Sequence, residues 1–495
     1  MKVQILIPFF IYLFLLICLA FFTTRNAHSG MTDFFLGGKR INRFIVSIST
    51  VVSARGSWLL LGLTAQSYVS GLSAIWMVAG FVLSEFLMFM FLAPRIRMLA
   101  ENKDDLNLVD LFLSRFRDNQ NSLRIIASAA TIFFLLCFIS SQLMGGSRAF
   151  YALLGLSNAN GVIITGVVIL LFIFFGGFKT LSYSDLLTSL ILLIVLIGMP
   201  IYIMIRKEGF SNLQAEILFA GPQFLSLQAI TAGTVLGFLS IGLGSPGNIH
   251  IHGKYMAIAD NRYFPLIAVV SGLTNLFLAA GAICTGVFAR SLFPTVESIP
   301  GAESQNVYFG LAGELGIPFL PGLVLITIFA AVVSTAGSQI LQSASTLTQT
   351  FSHFFFKKNI TITQNKLLFY SRISILLITY FAILAGVLIK TDSKELMLFA
   401  WAGLGAGFGP AILLSFIWKN TTGGGINAGI LAGTISVIVW KSIPYLSDKY
   451  YEIFPGFLLA TAAIIIGSFF DKKIRTQKFN RTAKYHDIKV SGSSD

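Results

Sequence analysis

With 495 residues, 55% of them hydrophobic and only 11% charged, and a mean hydropathy of +0.80, the chain cannot present a water-soluble surface. The formal net charge of +14 collects in the connections between apolar runs and in the stretch from Lys472 to Lys489, which points to anionic lipid head groups as partner and away from nucleic acid. Cys18, Cys137 and Cys284 all fall inside apolar runs without pair spacing, which excludes a disulfide framework and a cysteine metal site.

Uncharged apolar runs of roughly 20 residues, the length of a helix that crosses hydrocarbon, recur along the whole chain. Strands crossing a membrane would instead alternate apolar and polar residues over about ten positions, and nothing here does so. The expected fold is therefore an all-α integral membrane protein with about 13 transmembrane helices, at 4–22, 42–70, 73–95, 122–146, 158–178, 186–206, 228–248, 264–290, 318–346, 367–390, 396–418, 424–443 and 453–472. These make one transporter-like membrane domain over 1–475 and leave a polar tail over 476–495.

The first run follows Lys2 as a signal peptide's would, but it exceeds a usual signal-peptide core and no small-x-small cleavage site follows, so it is expected to remain as a helix. The second run is interrupted near its middle by Ser53-Ala54-Arg55-Gly56-Ser57-Trp58. A charge at that depth costs about 2.5–3.5 kcal/mol on insertion scales, so Arg55 needs a partner. Glu85, the lone acid near the middle of the third run, lies within about 3 Å of the same height, and an Arg55–Glu85 ion pair at a cavity wall is expected. In that position Arg55 would attract a carboxylate-bearing solute.

Gln142 in the fourth run offers an amide that can bind either end of a zwitterion. Asp185, where the sixth run begins, reads either as a gating acid or as a carboxylate favoured at a helix N-terminus. The seventh run is broken near its inner end by Gly242-Leu243-Gly244-Ser245-Pro246-Gly247-Asn248, and His250 and His252 follow in a basic connection with no third ligand to make a metal site. In the ninth run Ser334 and Thr335 are adjacent mid-membrane hydroxyls, with a back-bond to the preceding turn as their alternative. Gly423-Gly424-Gly425 lacks the strand and lysine of a phosphate loop.

Runs two to six (42–206) and seven to eleven (228–418) form two blocks of five, and an odd number makes the second enter from the opposite side. Interrupted helices opening both blocks imply a five-plus-five inverted repeat with a midplane site, the general architecture of secondary transporters. With the N-terminus outside, 25 of the 35 Lys and Arg fall on the cytoplasmic side against 9 on the other, so a multi-pass protein of the cell membrane with a cytoplasmic C-terminus is expected.

Asp33-Phe34-Phe35-Leu36-Gly37-Gly38-Lys39-Arg40 resembles the entry motif of the sodium:solute symporter family. Trp58 to Gly62, Phe399-Ala400-Trp401-Ala402-Gly403 through Phe408-Gly409-Pro410, and Ala330 to Thr335 followed by Ser338-Gln339 are similar to its sodium/proline branch. The resemblance runs from about residue 30 to about 445. It implies a leucine-transporter-like fold, with sodium held by the carbonyls of Val52, Arg55 and Ala331 and the hydroxyls of Ser334 and Thr335. It also implies a solute held between spans two, four and seven, at Arg55, Gly56, Ser57, Trp58, Phe138, Gln142, Ile241 and Ser245, and Asp185 on the ion's inward route. The chain departs from the branch where Ala54 replaces an acid and where Phe138, Ile241 and Ser245 replace its solute-contacting residues.

No Ser/His/Asp cluster, metal constellation or nucleotide-binding domain is present, so neither an enzyme nor an ATP-driven pump is expected, and no cofactor beyond the coupling ion. One sodium ion entering across about 100 mV with a tenfold gradient releases roughly 2.3 + 1.4 kcal/mol, which sustains about 500-fold accumulation of a neutral solute. A proton-coupled or ion-independent transporter of the same fold, and a solute sensor, are the alternatives. Nothing in the sequence specifies an oligomeric state.

Overall fold

In the computed structural model the described residues run from 2 to 471, apart from 25–29, 102–104, 117–120, 229, 356–362 and 448–449. The basic run beginning at Lys472 and the expected tail 476–495 lie outside them. Among the described residues the fold is helical, with one isolated β-bridge between Ile41 and Ile258.

The helices that build the site are, in chain order, α1 (Lys2–Thr24), α2 (Arg43–Arg55), α3 (Thr64–Ser70, continuing a π-helical turn at Trp58–Leu63), α4 (Ile75–Leu87), α5 (Leu108–Phe116), α6 (Ser122–Leu154), α7 (Asn158–Arg206), α8 (Ala232–Ser240), α9 (Gly244–Gly247), α10 (Ile249–Ala257), α11 (Phe264–Phe288), α12 (Leu320–Phe355), α13 (Gln364–Leu388), α14 (Ser393–Ile417), α15 (Gly423–Ser442) and α16 (Ile453–Phe470).

Among the described residues, ten helices are long and apolar enough to cross a membrane, against the thirteen spans expected. The difference arises at three places. The expected spans 158–178 and 186–206 fall in one stretch, Asn158–Arg206, that Gly177 divides into two helices, since its φ of 59° and ψ of −161° are not helical; the boundary lies at Gly177, and the expected connection 178–186 is helical. The expected span 42–70 is interrupted at Gly56, which leaves α2 a separate short piece, and the helical pieces between Trp58 and Ala100 follow one another without a loop but turn at Gly71, whose φ is 64° and ψ −149°. The expected span 228–248 is divided into α8, a 3₁₀ turn at Ile241–Leu243, and α9, and none of these pieces alone has spanning length.

α12 is the axis of the bundle. Every residue from Val324 to Thr346 is buried, and α1, α2, α6 and α7 all pack against it. A helix buried on every side needs no amphipathic stripe, so its hydroxyl and amide side chains are enclosed by protein instead of facing lipid. α1 shows the opposite pattern. Phe10, Ile11, Phe14 and Ile17 face outward, while Phe9 meets Phe150 and Phe329 edge-on at 5.4 and 5.1 Å.

Candidate functional site

α2 begins where the Asn42 side chain accepts the Phe44 N–H at 2.9 Å, and it ends at Gly56 with φ 51°. A side chain at Gly56 would collide with Gln142 and with Thr335 Oγ1, so the break is both conformational and steric. Beyond it, Gln142 Oε1 accepts the Ser57 N–H and the Ser57 hydroxyl, each at 3.1 Å, and so caps the segment that restarts at Trp58.

The last carbonyls of α2 carry the negative end of its dipole, and that of Val52 accepts the N–H of the cap residue Gly56 at 3.2 Å. α12 lays its hydroxyls against them. Thr335 Oγ1 donates to the Val52 carbonyl at 3.3 Å, and Ser334 Oγ lies 3.1 Å from Ser53 Oγ. Val52, Ala331, Ser334 and Thr335 are fully buried, and Ala331 sits one turn before Thr335. Arg55, whose carbonyl completes the expected set, is the last residue of α2. Hard oxygens converging on an interrupted helix suit a small alkali cation stripped of water.

Next to this cradle lies a narrow cavity of about 20 Å³ lined by Ala54, Arg55, Trp58, Phe138, Ile241, Met397, Leu398 and Trp401. Arg55 forms an ion pair with Glu85, and both side chains are almost fully buried. Glu85 is held from its other side by Asn275 Nδ2, which donates to Oε2 at 2.6 Å. The guanidinium lies over the Phe81 ring, 3.8 Å from its centre, and Arg55 Nε has no hydrogen-bond partner among the described residues. Trp401 closes the wall by donating its indole N–H to the Ile241 carbonyl at 2.9 Å.

A second buried pair stands on the far side of the cradle. Lys254 Nζ donates to Asp185 Oδ2 at 2.8 Å, and neither side chain reaches solvent. Ser49 bonds both groups, and Ser53 Oγ donates to the same carboxylate oxygen at 3.2 Å.

Several expectations change at this point. Asp185 does not lie in a first helical turn: it is enclosed two turns past the Gly177 bend and carries a lysine. The expected loop after Asn248 is α10, buried along its whole length. His250, which the sequence places in that loop, packs its ring against Phe138 and puts Nε2 3.1 Å from the Ser53 carbonyl. Gln142, Gly56 and Ser57 shape the helix break and are absent from the cavity lining, and the buried Ser245 hydroxyl has no partner among the described residues.

Sequence reasoning missed Lys254, Asn275, Met397, Leu398 and Trp401 as site residues. Trp401 stood inside a quoted motif, and a lone amide in the apolar run around Asn275 was a readable signal. Met397 and Leu398 gave none, because α14 is apolar on every face.

The family model described as "Sodium:solute symporter family" matches residues 34–433. The chain is 30% identical to a sodium/proline symporter of Salmonella typhimurium over 496 residues, covering 98% of each chain. It is 31% identical to a sodium/proline symporter of Haemophilus influenzae, covering 94% of this chain and 95% of the other. Among solved structures it resembles a Na+-coupled sialic acid symporter in a substrate-bound outward-open state, with a TM-score of 0.79 at 15% identity, covering 96% of this chain and 98% of that one. At that identity the likeness concerns the fold, and it bears out the leucine-transporter-like architecture.

Proposed function

Because the chain belongs to the sodium:solute symporter family, and is on that ground a sodium-coupled transporter of a small solute, we propose that its cargo is proline or another small apolar amino acid. The observation that carries this reading is Arg55, which lines an otherwise apolar cavity and whose Nε has no hydrogen-bond partner among the described residues. A carboxylate is the complement of that N–H, and the ring faces of Trp58, Phe138 and Trp401 suit an aliphatic body. Polyhydroxylated solutes are disfavoured by the same wall, since their hydroxyls would find few partners there.

In this reading sodium sits between α2 and α12, on the carbonyls of Val52, Arg55 and Ala331 and the hydroxyls of Ser334 and Thr335. Glu85 holds Arg55 at the cavity wall, and Asp185 lies on the ion's inward route. The C-terminus faces the cytoplasm, because the Lys and Arg bias favours that side.

Uptake of labelled proline, alanine, citrate and glucose into vesicles reconstituted with the full chain tests this, with sodium exchanged for choline in parallel. Sodium-dependent proline or alanine uptake is the expected result. Uptake of glucose in preference to both amino acids would reject the assignment of the solute.

A further inference from the structure

Lys254 is surrounded by protein on a helix, α10, whose nine residues are all buried. A methionine would fill the same space without a charge, so packing alone does not call for an ammonium there. The ammonium is also one step from the cradle. Thr335 reaches the Val52 carbonyl, Ser334 reaches Ser53, and Ser53 reaches Asp185, each within 3.3 Å. Oxygen atoms therefore run without a gap from the expected sodium position to the carboxylate that Lys254 holds.

Asp185 uses one oxygen for all of this. Oδ2 accepts from Lys254, Ser49 and Ser53, while Oδ1 is buried and has no hydrogen-bond partner among the described residues. A buried carboxylate oxygen left without a donor is a vacant ligand position for a hard cation. The hydroxyl chain from Ser334 through Ser53 leads to this carboxylate at Oδ2, where a fixed monovalent cation already sits.

We propose that the Lys254 ammonium is a tethered rival of sodium for the Asp185 carboxylate. It neutralises Asp185 while sodium is absent or in the cradle, and it withdraws as the ion crosses Asp185 on its way inward. Asp185 thereby avoids becoming a trap for sodium, and Lys254 sets how weakly the ion is held. The proposal rests on the sodium coupling described above.

The test is a sodium titration of purified full-length protein, read by tryptophan fluorescence and by thermal shift, on Lys254→Met, Asp185→Asn and the double variant. Lys254→Met should lower the half-saturating sodium concentration about tenfold and slow sodium release in uptake assays. Asp185→Asn should raise it at least about tenfold, because it frees the ammonium to approach the cradle. The double variant, which buries no unpaired charge, should return it to near the wild-type value. A double variant as weak as Asp185→Asn would overturn the proposal, since Asp185 would then act only as a ligand. An unchanged half-saturation in all three, with lowered melting temperatures in the singles alone, would also overturn it and leave the pair purely structural. If Lys254→Met does not fold, Asp185→Asn against the double variant still decides. A wild type that ignores sodium would reject sodium coupling itself, and the proposal with it.

Discussion

The protein buries two ion pairs on either side of one helix break, and they differ in how they are enclosed. Arg55–Glu85 borders a cavity, rests on the Phe81 ring and keeps an N–H without a partner among the described residues. Lys254–Asp185 is sealed within a set of hydroxyls that continues into the cradle. A planar guanidinium with several fixed donors can hold its partner and still recognise a carboxylate, whereas an ammonium is a compact charge that a small cation can replace. The contrast supports the proposed division, with the first pair serving the solute and the second the ion.

The strongest way to break that assignment is to remove one charge from the cavity pair. Glu85→Gln or Arg55→Met leaves a buried charge without its partner, which should destabilise the protein by about 3–5 kcal/mol and abolish uptake. Combining the two should recover most of the stability, as read by thermal unfolding in detergent. Solute binding should stay lost while the sodium response survives. Recovery of solute binding in the neutral double variant would mean that Arg55 does not recognise the carboxylate.

The cavity pair was legible in the sequence because each charge is alone in an apolar run, so its depth can be counted from the run's ends. The Lys254–Asp185 pair was only half legible. Asp185 was singled out, but Ile249 to Ala257 carries two histidines, a glycine and Lys254 among its apolar residues, a mixture that reads as a loop. Its burial is supplied by packing against the helix Ala93–Ala100 and against α2 and α12, which no local pattern encodes. The hydroxyls Ser334 and Thr335 were found because an apolar run made them conspicuous, and the break at Gly56 because Gly and Ser flank a charge. Gly177 marks a real boundary, since its non-helical φ and ψ divide α7 into two helices, and only the length of the connection after it was misjudged.

A milder change sharpens the ion side of the comparison. Thr335→Val keeps the shape of the side chain and removes one oxygen from the cradle, leaving the Val52 carbonyl without that donor. The half-saturating sodium concentration should rise about tenfold, equivalent to about 1.4 kcal/mol. The solute affinity measured at saturating sodium should change little. An equal loss of solute affinity at saturating sodium would show that cradle and cavity are not separable.

A third pair joins Asp110 on α5, outside the spans, to Arg124 in the first turn of α6, and shows what partial access to water does to the same chemistry. Arg124 Nη1 stands 3.6 Å from Asp110 Oδ1, and Asn107 donates to Oδ2 at 2.8 Å. Burial nevertheless pushes the Asp110 carboxyl up to about 7, with Arg124 opposing the shift. A carboxyl raised on folding binds its proton more tightly in the native state. Its contribution is therefore fully present below the unfolded value near 4 and is lost as pH rises through about 7. Most of the loss falls below neutrality, and the step from pH 7 to pH 8 should cost only about 0.4 kcal/mol. Melting temperatures recorded from pH 5 to pH 8 should fall and then level off in the wild type, and Asp110→Asn should flatten that part of the curve. A slope that persists in Asp110→Asn would place the titrating group elsewhere. Unlike the two enclosed pairs, this one would respond to the pH of the medium without altering the sodium requirement.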